Sequence, residues 1–94
     1  MVEYHIAFSG LLKQRLIELC EQARTQGRLS KVKAVIKAVM QELQENPLSI
    51  GESLYHLKHS GWPVYHIARS PWSVHFAVDE KGRVVYLTRI ELMG

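Results

Sequence analysis

YHIARSPWSVHFAVDEKGRVVYLTRIEL, residues 65–92, decides the fold. Val74, Phe76 and Val78 alternate with Ser73, His75, Ala77 and Asp79, the two-residue period of a half-buried strand from Trp72 to Asp79. Ser70-Pro71 divides it from an earlier strand at about Val64 to Arg69. Glu80-Lys81-Gly82 turns the chain into a last strand, Val84 to Leu92, with Gly82 expected to take the positive φ. That last strand has apolar residues at both parities, which points to a central place in the sheet. The final third is therefore a meander.

Upstream, Gly51 and Gly61 mark turns, and Glu52 to His59 is read as no more than a helical turn. Before it, Val32, Val35, Ile36, Val39, Met40 and Leu43 form a helical stripe that Ser30 can cap and Asn46-Pro47 ends. Leu12, Leu16, Leu19, Cys20 and Ala23 make a similar stripe, capped by Ser9 and ended by Gly27. At the start, Val2, Tyr4, Ile6 and Phe8 alternate with Glu3, His5 and Ala7 as another strand. The expected order is β-α-α-β-β-β. Its class is α+β, with two layers: a helical hairpin packed on one face of a small, largely antiparallel sheet.

Ninety-four residues suit a single domain, 1–94. The composition is 47% hydrophobic, enough for one core and too much for a disordered chain. No apolar run approaches a membrane span, and MVEYHIAFSG lacks the pattern of a secretory signal. Cys20 is the single cysteine, so no internal disulfide forms, and a cytoplasmic setting is expected. The net charge of +3 raises the prospect of a nucleic-acid or acidic protein partner only a little.

The element order, NPLSIGESLYHL (46–57) and the stretch 65–92 resemble the RelE/ParE superfamily of bacterial toxins across nearly the whole chain. The resemblance implies a toxin of a type II toxin–antitoxin system. RelE-like members cut mRNA in the ribosome through attack of a 2′-hydroxyl, using Lys, Arg and Tyr on the open sheet face. ParE-like members poison DNA gyrase without that cluster. Both are neutralised by a small antitoxin, which for this chain would be acidic. Carried over by position, His66 and Ala68 stand where the family places lysines, and Arg69 matches a basic residue at the strand's end. Ser73 replaces an arginine. Arg89 is nearest to another, and no counterpart of the family's final tyrosine precedes Gly94.

Strand parity makes its own case for a site. The face opposite Val74, Phe76 and Val78 would carry Ser73, His75 and Asp79, with His5 and His66 on neighbouring strands. Arg89 and Glu91 join that face if Val84 and Ile90 point inward. Imidazoles suit RNA cleavage, since one can take a proton from a 2′-hydroxyl while another gives one to the leaving oxygen. Arg69 or Arg89 would stabilise the phosphorane. The candidate catalytic set is thus His66, Arg69, His75 and Arg89. Its alternative is a half-exposed sheet face that tolerates histidine.

His56, Lys58 and His59, beside Tyr55 and Trp62, are candidate nucleic-acid contacts; the plainer reading is a solvated loop with Trp62 plugging the core. His56, His59 and His66 fall short of a convincing zinc set, so neither metal nor other cofactor is expected. Arg24, Arg28, Lys31, Lys33 and Lys37 crowd the helix–helix loop, either as an ordinary charged surface or as a partner contact. Tyr86 shares parity with Val84 and is ranked as core, and Trp72 as an anchor. Three functions remain: a ribosome-dependent mRNA endoribonuclease with a histidine-altered site, a protein-binding module that inhibits a target such as gyrase, or a diverged inactive relative kept for regulation or as a homodimer.

Overall fold

A computed structural model describes residues 3–93; Val2, the start of the expected first strand, lies outside them. The described elements are β1 (His5–Ala7), α1 (Gly10–Thr25), α2 (Leu29–Glu45), β2 (Glu52–His56), β3 (Pro63–Arg69), β4 (Trp72–Asp79) and β5 (Val84–Leu92). The five strands form one open sheet in the order β1-β5-β4-β3-β2. Only the β1–β5 pairing is parallel. Both helices pack on one face, so the α+β, two-layer expectation holds in its coarse form. No described helix is long and apolar enough to cross a membrane.

Local chemistry sets the helix ends. The Ser9 hydroxyl accepts the Leu12 N–H at 3.1 Å, as expected of a cap. Gly27, at φ 71°, reverses the chain after α1, a conformation that a side chain would oppose. Ser30 does not cap α2: Arg28 occupies the N-cap position without a side-chain bond, and Ser30 lies inside the first turn.

The core joins the α2 stripe Val32, Ile36, Val39 and Leu43 to Val74, Phe76 and Val78 of β4 and to Val85, Leu87 and Ile90 of β5. Leu19 and Ala23 of α1 close one side. Trp72 is fully buried, and its indole N–H donates to the Val32 carbonyl at 2.9 Å. It does anchor the strand start. Ser70-Pro71, in cis, joins β3 to β4.

Two further features differ from the sequence reading. Glu52–His56 is a fifth, edge strand, not a helical turn. All five of its residues are exposed, so no buried face imprints a period on them. Gly51 feeds it against the sheet, where an added Cβ would lie 3.1 Å from both the Phe76 ring and the Tyr65 Cβ. In the β4–β5 turn the positive φ falls on Arg83 (55°), not on Gly82. Gly82 instead gives its N–H to the Asp79 carboxylate at 3.1 Å. Arg83 is held by its neighbours: its carbonyl accepts from His5 at 2.8 Å, and its guanidinium lies 5.3 Å from the Tyr4 ring centre.

Candidate functional site

Residues paired across neighbouring strands share a face. On the face away from the helices, Glu52, His66, His75 and Arg89 therefore form one row across β2, β3, β4 and β5. Ala68, Ser73 and Glu91 form the next row on one side. The row on the other side is Tyr55, Val64, Ala77, Tyr86 and Ala7.

His66 and His75 are the centre of the first row. Their rings meet edge to face, 5.0 Å between centroids and 87° between planes. His66 Nε2 is 2.8 Å from the Ser73 hydroxyl, a bond that holds the ring in place. Arg89 and Glu91 form an ion pair through Nε and Oε1. Burial lowers the His75 pKa from its ordinary value. The positive charges of His66 and Arg89 push it the same way, and the Glu91 carboxylate opposes them.

The neighbouring row carries an aromatic pair. Trp62, just before β3, stacks on Tyr86 with centroids 5.0 Å apart and planes 8° from parallel. Val64 and Ala77 on that face are 0% and 1% exposed, although both helices lie on the other side. Trp62 thus plugs no core between the layers; it lies on the open face. Strands rise about 3.4 Å per residue, so this row is about 7 Å from the histidines.

Sequence parity places His66, His75 and Arg89 together, and the structure brings these three side by side. Arg69 is not with them. It pairs with Trp72 in register, faces the helix layer, and bonds Glu42 of α2 at 3.2 Å. His5 shares the open face but sits beside Val84, level with Asp79, about 14 Å along β4 from His75 at 3.4 Å per residue. His56 pairs with Pro63 at the end of β2, and Lys58 and His59 are exposed in the turn that follows. These three gather near the hairpin tip, away from the histidine row. The described residues bring no three His, Cys, Asp or Glu side chains into a metal-binding group.

Tyr86 and Glu52 are the face residues that sequence reasoning missed. Thr88 is the extra residue of a bulge in β5, because His75 pairs with Arg89 while Phe76 pairs with Leu87. The bulge switches parity. Val84 and Tyr86 share the open face with Arg89 and Glu91, whereas Val85, Leu87 and Ile90 are buried. The condition that Val84 point inward is therefore not met, yet Arg89 and Glu91 reach the open face. Apolar residues at both parities of this strand were the available signal.

Compared with protein-family models, curated proteins and solved structures, the chain has no match.

Proposed function

We propose that this chain is a toxin-like protein of the RelE/ParE kind that cuts RNA on its open sheet face. The observation that carries this reading is the His66–His75 pair, with Arg89 next in register on an uncovered face. His75, with a pKa lowered toward the neutral form, takes the proton from a 2′-hydroxyl. The 2′-oxygen attacks the adjacent phosphorus, and the bond from phosphorus to the 5′-oxygen breaks. His66 gives that oxygen a proton, leaving a 2′,3′-cyclic phosphate and a 5′-hydroxyl. Arg89, oriented by Glu91, faces the charge that develops on the non-bridging oxygens. In this reading the substrate is mRNA in the ribosome, and the cellular partner is a small acidic antitoxin.

A protein-binding module is the second reading. It draws support from exposed apolar side chains on α1, Leu11 at 85% and Ile17 at 47%, which catalysis does not use.

The test is induced expression in a bacterial host, wild type beside His66→Ala/His75→Ala, followed by mapping of RNA ends. Growth arrest with new 5′-hydroxyl ends, both abolished in the double variant, supports the nuclease. Arrest by both proteins without new ends favours the binding module.

A further inference from the structure

A cleft of about 410 Å³ opens between the tips of the β2–β3 and β4–β5 hairpins. Gly61, Trp62, Pro63, Asp79, Glu80 and Lys81 are among the residues that line it. We propose that this cleft is a nucleobase subsite for single-stranded RNA, continuous with the histidine row. The proposal rests on the reading above of the open face as an RNA site.

Three observations converge on a base as the occupant. Trp62 supplies an aromatic wall, and its stacking on Tyr86 fixes the ring before any ligand arrives. Asp79 and Glu80 both line the cleft, Asp79 with one carboxylate oxygen engaged by the Gly82 N–H; acidic residues there repel a phosphate and suit the N–H donors of a base edge. Lys81 at the same rim offers a cation to the backbone outside the cleft.

Position supplies the rest. Trp62, just before β3, precedes His66 by four residues, about 14 Å at 3.4 Å per residue. The Trp62–Tyr86 stack lies between the cleft and the histidines. A short extended oligonucleotide can therefore hold its phosphate at His66 and His75 and place a neighbouring base in the cleft.

The test uses a single-stranded RNA oligonucleotide of mixed sequence with 2′-O-methyl groups throughout. It binds but lacks the attacking hydroxyl. The chain has two tryptophans, and Trp72 is fully buried, so Trp62→Phe isolates the emission of Trp72 as an internal reference. Titration is expected to quench wild-type emission and to leave Trp62→Phe unchanged. Trp62→Ala should weaken binding about tenfold, the scale of one lost stacking contact, while Trp62→Phe stays within a few-fold of wild type. Unquenched wild-type emission at saturation, or equal quenching in Trp62→Phe, overturns the subsite even if the alanine variant fails to fold. The cleavage reading is separated by incubating wild type with unmodified RNA of the same sequence. Quenching without cleavage of unmodified RNA by wild type leaves the subsite and sinks the nuclease; cleavage without quenching does the reverse.

Discussion

His66 and His75 stand directly opposite each other on β3 and β4, and their rings meet edge to face at 5.0 Å. A charge on His66 makes charging His75 harder, because the two cations would lie in contact. Arg89, next to His75 in register, adds to this. The pair therefore favours states with at least one neutral ring, as division of labour between a base and an acid requires.

His75 should titrate below the ordinary imidazole value near 6.5. Removing His66 takes away one positive neighbour, so His66→Ala should raise the His75 midpoint without restoring it fully, since burial is the largest cause. Arg89→Ala should act in the same direction, and Glu91→Gln in the other. Imidazole proton shifts followed by NMR from pH 4 to 8 check this. A His75 midpoint above the ordinary value would sink it.

The same shift has a consequence for stability. A lowered folded-state pKa means that the unfolded chain binds the proton more readily. Wild type is thus unaffected above the unfolded value near 6.5 and loses stability as pH falls through the lower folded value. His75→Gln, which cannot titrate, should lose less between pH 7 and pH 5. Urea midpoints at the two pH values measure the difference, and equal losses would remove His75 as the cause.

Arg69 should be dispensable for any chemistry at the histidines, because it faces the helix layer and bonds Glu42. Both partners are more than a third exposed, at 43% and 37%, so the ion pair contributes at most about 1 kcal/mol. Arg69→Ala should leave RNA cleavage within about twofold of wild type, whereas Arg89→Ala should reduce it severely. A paired assay on one RNA substrate decides between them. A larger loss with Arg69→Ala would show that the two faces are not separate in function.

Much of this arrangement was legible from periodicity, because burial on one side leaves a pattern. Val74, Phe76 and Val78 betray β4, and Val32, Ile36, Val39 and Leu43 betray α2. Where burial is absent or the period breaks, reading fails. β2 is exposed along its whole length and carries a register shift at Leu54, so nothing marks it as a strand. Arg69 follows the parity of Trp72 across the sheet, a relation that only the β3–β4 register reveals. Tyr86 was hidden by Thr88, since one extra residue exchanges the faces of everything beyond it. The positive φ at Arg83 was hidden by an adjacent glycine, whose N–H is taken up by Asp79.

Trp72→Phe should be costly out of proportion to its size change. The variant keeps an aromatic ring but loses the indole bond to the Val32 carbonyl, in a site with no exposure. Val32 lies inside α2, where its carbonyl keeps a helical partner, so the lost bond costs about 0.5–1.5 kcal/mol, and the cavity left by the smaller ring adds to it. A loss of about 2–4 kcal/mol in urea unfolding is expected on these grounds. A loss below about 1 kcal/mol would mean that the surroundings close over the smaller ring and that the indole bond adds nothing net.

Deleting Thr88 should leave the chain folded, as should replacing it. Thr88 is exposed, and a surface substitution away from special features stays within about 0.5 kcal/mol, so Thr88→Ala should melt close to wild type. As the extra residue of the bulge, Thr88 has no partner on β4. Val84 and Tyr86 before it and Arg89 and Glu91 after it share the open face, while Val85, Leu87 and Ile90 are buried. With Thr88 removed, strict alternation along β5 keeps every one of these side chains on its present face and its present partner. The deletion therefore exposes no core and buries no charge. Circular dichroism melts of the two variants test the argument. Loss of cooperative unfolding in the deletion variant would show that the bulge itself, and not the alternation on either side of it, holds this face together.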